Sequence, residues 1–212
     1  MLGDVVGYGP HPEACIKLLI ASGFSVVKGN HDNAVATGNT SRGFSPLARW
    51  VVDWSRDRLS NHDKEWLEQL PPYIARNNWL ALHGAPIDKT FFNAYVYRMT
   101  YEENLNNLQK RKIPICFHGH SHLPTVYYRT RAEDKLSTEL RLSLKDNLAS
   151  LICPGSVGKT RNQVPRAEFA VFNRKTDEIE FHKIFYKLGK TLDDMEKFKF
   201  PDKLIERFLG GM

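Results

Sequence analysis

Seven side chains in this sequence have types and spacings suited to chemistry: Asp4, Asn30, His31, Asp32, His83, His120 and His122. Most follow short apolar runs. Asn30-His31-Asp32 comes after Phe24-Ser25-Val26-Val27, and His83 comes after Trp79-Leu80-Ala81-Leu82. His118-Gly119-His120-Ser121-His122 comes after Ile113-Pro114-Ile115-Cys116-Phe117. Neutral imidazole is the commonest metal-ligating side chain. A mixture of carboxylate, amide and imidazole suits Mn²⁺, Fe²⁺ or Zn²⁺, and suits Ca²⁺ or an all-thiolate site poorly. Two such ions sharing a carboxylate would polarise a phosphoryl group and acidify a bound water. Each motif alone is weak: a His-rich loop, a turn asparagine and a core histidine are ordinary features. Their repetition at strand ends is the signal.

The elements that must position these groups follow a rhythm of strand, polar turn and helix. Val5 to Pro12 reads as a Gly- and Pro-rich loop. Pro12 then opens a helix that Gly23 closes. Phe24–Val27 reads as a strand ending in the Gly29-Asn30-His31-Asp32 turn. Thr37 to Gly43 is a loop. Ser45-Pro46 starts a helix to about Leu59, with Leu47, Trp50, Val51 and Trp54 at helical spacing. Ser60 and Asp63 form a capping-box pattern before a short helix that stops at Pro71-Pro72. Thr100 is expected to cap a helix from Tyr101 to Arg111. Strands follow at Thr125 to Thr130 and Ser150 to Cys153, and then a hairpin, Phe169–Phe172 with Ile179–Phe185. A helical tail from Thr191 breaks at Pro201. In α/β sheets, ligands collect beyond the carboxyl ends of the strands, so all seven residues are expected to converge on one mouth. Strand–helix alternation followed by helix-free strands implies α/β layers with a mixed sheet.

Composition narrows the class. The 212 residues suffice for one core, and we expect a single domain over residues 1–212. No run reaches the roughly 18 apolar residues of a membrane span. Cys15, Cys116 and Cys153 are far apart and form no CxxC pair, as in a reduced, cytoplasmic protein. The formal charge of +6 favours anionic ligands. Nucleic acid is one such ligand class, and steeply salt-dependent DNA binding would support it. The cluster Lys110-Arg111-Lys112 reads as a helix C-terminus complementing its dipole.

Taken in order, Gly3-Asp4, Gly29-Asn30-His31-Asp32, His83-Gly84 and Gly119-His120-Ser121-His122 resemble the signature of calcineurin-like metallophosphoesterases. Gly3 to Pro10, Pro154-Gly155-Ser156-Val157-Gly158 and the tail Leu204 to Leu209 resemble a small, bacterial-type cytosolic branch. The resemblance spans essentially the whole chain. It implies a layered αββα sandwich of two mixed sheets flanked by helices. It implies hydrolysis of phosphate esters, most of all phosphodiesters, by a metal-bound hydroxide, with a small phosphate ester as substrate. It implies two divalent ions in a complete protein, Mn²⁺ first, with Fe, Zn²⁺ or Ni²⁺ as alternatives. By position, Asp4 matches the carboxylate bridging both ions. Asn30, His83 and His120 match the other ligands of one ion, and His122 matches a ligand of the second. His31 matches a histidine that contacts the phosphoryl group, and Asp32 matches the residue that orients it.

One departure stands out. The family pattern opens with a strand ending in Asp-x-His, both residues binding the second ion. No such motif precedes Asp4, and neither His62-Asp63 nor His11 near Glu13 replaces it. The expectation is that a first strand–helix unit is missing and that the chain starts at an internal methionine. Hydrolysis would then be impaired in this chain. The alternative is a non-catalytic binding or scaffold protein of the same fold.

Overall fold

The structure is a computed structural model, and it describes residues 1–41, 43–159, 161 and 166–210. Sixteen elements follow in order along these residues. Four helices come first: α1 (Pro12–Ala21), α2 (Asn30–Thr37), α3 (Pro46–Arg58) and α4 (Asn61–Gln69). Strands β1 (Tyr73–Arg76) and β2 (Trp79–Leu82), helix α5 (Tyr101–Lys110) and strand β3 (Ile115–Phe117) come next. Then come β4 (Thr125–Arg129), β5 (Asp134–Ser137), β6 (Arg141–Ser143), β7 (Ala149–Cys153), β8 (Arg166–Asn173) and β9 (Glu178–Phe185). Helices α6 (Gly189–Lys197) and α7 (Asp202–Gly210) follow the last strand.

The larger sheet has the order β1-β2-β3-β7-β4-β5. Its central strands β2, β3 and β7 are parallel, so their carboxyl ends share one edge. The β1–β2, β7–β4 and β4–β5 pairs are antiparallel, which makes the sheet mixed as expected. The second sheet, β6-β9-β8, differs from the expectation of two mixed sheets. All its pairs are antiparallel, because β8 and β9 form a hairpin and β6 runs against β9.

Alternation along the strands separates two cores. Leu80, Leu82, Cys116 and Leu151 face Leu105 and Leu108 of α5. Ile115, Val126 and Ile152 face the other way, against Ile179 and Phe181 of the smaller sheet. The sequence therefore builds a helix layer, a mixed sheet and a second sheet. Helices α1 to α4 share a further core with Val5, Val6 and Val26. Val51 of α3 meets Met195 of α6, Leu204 of α7 and Phe200 between them in a fourth.

Several local expectations hold for visible reasons. Pro12 begins α1, the Ser45 hydroxyl accepts the Ala48 N–H, and Ser60 accepts the Asp63 N–H. Others need correction. Phe24–Val27 forms no ladder. The Phe24 N–H turns back to the Leu19 carbonyl, the Val27 N–H donates to the Met1 carbonyl, and the Met1 ammonium donates to the Ser25 carbonyl. Thr100 precedes α5 without capping it by its side chain, because its hydroxyl donates backward to the Tyr95 carbonyl. Asn30, His31 and Asp32 are not a turn after a strand: they form the first turn of α2.

Candidate metal centre

Main-chain contacts set the centre's frame. His83 directly follows β2, and the His118–His122 segment follows β3, at the shared carboxyl edge of the parallel strands. The Gly119 N–H donates to the His83 carbonyl (2.8 Å), locking the two turns together, and the His118 N–H donates to the Ile152 carbonyl of β7 (2.9 Å). Gly119 serves close approach here: a Cβ at this position would stand 2.9 Å from the Leu2 carbonyl oxygen. The positive φ falls on the ligand candidates themselves, at Asp4 (51°), His120 (61°) and His122 (58°). Such geometry is uncommon for residues with a side chain and clusters at functional sites.

Four donor atoms converge. His83 Nε2 lies 3.0 Å from His120 Nδ1, 3.2 Å from Asn30 Oδ1 and 3.3 Å from Asp4 Oδ2. The His83 Nδ1–H donates to the Leu2 carbonyl at 2.7 Å, which leaves Nε2 to face the other three. All three neighbours are lone-pair atoms, so this arrangement calls for a cation or a proton at its middle. A first-row divalent ion holds nitrogen and oxygen ligands at about 2.0–2.2 Å, which places neighbouring donors roughly 3.0–3.5 Å apart. The observed separations match, and the residues present fit one such ion. Ligand atoms of Asp4, His83 and His120 all lie within 4.8 Å of one another.

Electrostatics agree with this reading. Burial pushes the Asp4 carboxyl up, but His83, His31 and His120 outweigh it and hold the group far below the usual carboxylate range. Burial pulls His83 down, yet Asp4 and the Leu2 carbonyl overcome it and leave His83 above its ordinary value. His120 is lowered to about 3 by burial and by His83, so it stands neutral, as a ligand must. Below its raised pKa, His83 carries a proton on Nε2 that a cation must displace. Metal uptake below that pKa is therefore expected to release a proton. Apparent affinity should rise with pH until His83 is deprotonated in the free protein, then level off. Calorimetry in two buffers of different protonation enthalpy measures this, and zero release would contradict the shared-proton arrangement.

The remaining sequence candidates lie around these four. His122 is outside the tight cluster. Its Nδ1–H donates to the Lys159 carbonyl at 2.7 Å, and burial lowers it to about 4. For a second ion, the candidates among the described residues are Asp4 and His122. His31 is buried between the rings of Tyr8 (4.7 Å) and Phe44 (5.1 Å), with its Nδ1 unpartnered. Burial lowers its pKa. Its backbone N–H donates to Asp4 Oδ1 (3.0 Å), which turns Oδ2 toward the centre.

Asp32 does not orient the His31 ring. Its Oδ1 accepts the Val5 and Val6 N–H groups at 2.8 and 3.3 Å, and its Oδ2 accepts the Gly29 N–H at 2.8 Å. Consecutive residues in a helical turn point in different directions, so Asp32 faces the segment that carries Asp4. Burial and Asp4 push its pKa up, while the Gly29 and Val6 N–H groups pull it back.

Sequence reasoning missed Tyr95. Its ring stacks over His120 at 3.7 Å and 26°. The loop that carries it is pinned by Asp88, whose carboxylate accepts the Thr90, Asn93 and Ala94 N–H groups. His118 is fully buried, lowered to about 4, and donates from Nδ1 to the Gly119 carbonyl, apart from the donor cluster. His182, on β9, stacks on Phe169.

A buried histidine–amide–carboxylate cluster, its histidines at the carboxyl edge of a mixed sheet, defines an α/β protein with a candidate metal centre. Residues 1–177 match the calcineurin-like phosphoesterase superfamily domain, and the chain belongs to that family. An uncharacterised protein of Methanocaldococcus jannaschii is 29% identical over 214 residues, spanning 99% of this chain and 85% of that relative. A crystal structure of a metallophosphoesterase from Sphaerobacter thermophilus superimposes with a TM-score of 0.84 at 29% identity. That match covers all of this chain and 86% of the other. A hypothetical protein from Pyrococcus horikoshii shares the fold at a TM-score of 0.77 and 18% identity, over all of this chain and 84% of that one. Among the described residues, no helix is long and apolar enough to cross a membrane.

Proposed function

We propose that this chain hydrolyses small phosphate esters, phosphodiesters foremost, with Mn²⁺ as its working ion. The observation that carries the reading is the convergence of Asp4 Oδ2, Asn30 Oδ1, His83 Nε2 and His120 Nδ1 beside His31. A bound divalent ion supplies Lewis-acid polarisation of the phosphoryl oxygen and a water acidic enough to attack at neutral pH. The chain's own groups do the rest. Asp4 stays ionised and adds negative charge to the cation site. The amide of Asn30, at the first turn of α2, and the rings of His83 and His120 would complete the donor set that fixes where the cation sits. His31 Nδ1 is enclosed beside Gly7, so Nε2 is the nitrogen left to meet the substrate and protonate its leaving oxygen.

Release of p-nitrophenolate from bis(p-nitrophenyl) phosphate, with and without Mn²⁺, tests the reading directly. Metal-dependent turnover supports it, and no turnover with any divalent ion removes it. His31→Ala is expected to lower kcat by about 10²-fold or more with an alkyl leaving group, and by less with p-nitrophenolate, which departs without a proton. An equal loss on both substrates would deny His31 the proton-donor role.

A non-catalytic binding role is the second reading. It is motivated by the second ion's short ligand list, Asp4 and His122 among the described residues. It requires inactivity in the same assay together with saturable binding of a protein partner. The free thiols of Cys15, Cys116 and Cys153 support placement in a reducing compartment, the cytoplasm.

A further inference from the structure

Two cations stand one aromatic ring away from the metal centre, and the charge of a third, Arg207, also reaches Tyr8. Lys159 Nζ lies 5.2 Å from the centroid of the Tyr8 ring, whose own centroid is 4.7 Å from that of His31. Arg161 Cζ lies 5.9 Å from the Tyr95 ring, which stacks on His120. Arg207 sits on α7, whose Leu204, Ile205 and Phe208 join the same core as Tyr8. The three come from two distant stretches of chain, the segment after β7 and the C-terminal helix.

Among the described residues, none of the three forms an ion pair, although Arg129 and Arg141 each find a carboxylate. Their charges are felt by one another: burial, then Arg161 and Arg207, hold the Lys159 amine below its usual range. Like charges gathered on a partly buried surface repel, and an anion placed among them relieves that repulsion. Asp4, the acid whose charge reaches Tyr8, is committed to the metal centre. The scissile phosphate is accounted for by the cation held at Asp4, Asn30, His83 and His120 and by His31. The cations beyond Tyr8 and Tyr95 therefore address a different group of the same ligand.

We propose that Lys159, Arg161 and Arg207 form a second anion subsite beside the metal centre, and that the substrate carries a further phosphate next to the scissile one. This rests on the phosphoesterase reading and narrows its substrate class to small molecules with two or more phosphates, such as nucleoside diphosphate derivatives. A compact trio beside one mouth suits a small polyanion better than the extended backbone of a nucleic acid, which is met by contacts spread along its length.

The test compares adenosine 5′-(α,β-methylene)diphosphate with adenosine 5′-monophosphate, which lacks the second phosphate. Binding of each to the full chain is followed by titration calorimetry, without added metal and with Mn²⁺. The diphosphate analogue is expected to bind about tenfold tighter or better. Arg161→Ala and Arg207→Gln should each erase most of that advantage, while Lys145→Ala, an exposed charge on the segment after β6, should leave it intact. Arg161 is exposed and outside any helix or strand, so its variant keeps the test decisive if the α7 variant fails to fold. Equal affinities for the two nucleotides, or an advantage that survives when Arg161→Ala and Arg207→Gln are combined, would overturn the subsite. So would displacement of the analogue by a short single-stranded DNA at lower phosphate concentration. None of these readouts depends on turnover. Absence of metal-dependent diester hydrolysis overturns the phosphoesterase reading and leaves the binding result standing by itself.

Discussion

Replacing His120 with alanine is expected to abolish metal-dependent phosphodiester hydrolysis, lowering kcat/KM by about 10³-fold or more. That corresponds to roughly 4 kcal/mol of lost transition-state stabilisation. The ring supplies one of four donors, at 3.0 Å from His83 Nε2, and is already neutral, so no proton must leave it. Changes in residues that merely orient a ligand cost about 10–100-fold in metal affinity or activity, and loss of a ligand itself should exceed that. His83→Ala should do the same, with the added loss of the bond to Leu2. Elemental analysis after gel filtration should show less bound metal in both variants. His182→Ala removes a histidine that lies against Phe169 and should retain both metal and turnover. Unchanged turnover in His120→Ala would sink the assignment of the centre.

The second large effect falls on stability. Asp32 is fully buried and accepts three backbone N–H groups, from Val5, Val6 and Gly29. Alanine at this position leaves those donors without a partner in a region closed to water. Each unsatisfied donor costs about 1–3 kcal/mol, so a loss of roughly 3–5 kcal/mol is expected. For a chain of this length that lowers Tm by about 10 °C or more. The Asp32→Asn variant keeps one acceptor oxygen and sets an amide NH₂ against a backbone N–H. That loses about one bond and should cost about 1–2 kcal/mol. Urea unfolding orders the three proteins. An Asp32→Ala variant within about 1 kcal/mol of the parent would show that the carboxylate does not anchor the Asp4 segment.

The contrast between Asp32 and His120 marks what the sequence could convey. A histidine after an apolar strand announces where its Cα must lie, since parallel strands deliver their carboxyl ends to one edge. That geometry made His83 and His120 readable, and Asp4 and Asn30 followed from their places in the ordered motif. The partner of a carboxylate carries no such pattern. Asp32 adjoins His31 in sequence, yet the helical turn that holds both points them apart. Tyr95 was invisible for a related reason: its loop has no period, and its position depends on Asp88 gathering the N–H groups of Thr90, Asn93 and Ala94. Strands β5 and β6 were missed because Asp134–Ser137 and Arg141–Ser143 are polar and mostly exposed, without the alternation that betrays a half-buried strand. The antiparallel hairpin of β8 and β9, with its clear alternation, was not missed.

The contact that fixes the tautomer of His83 is made by a peptide group, and this has a consequence for how the centre can be studied. The Leu2 carbonyl accepts the ring's N–H whatever side chain residue 2 bears, and the Lys159 carbonyl does likewise for His122. Side-chain scanning is blind to both bonds. Residue 2 is thus free to drift in composition while its oxygen keeps the imidazole facing the right way. Only an edit to the main chain itself, such as an ester in place of the amide after Leu2, would weaken that acceptor and expose its part in the chemistry.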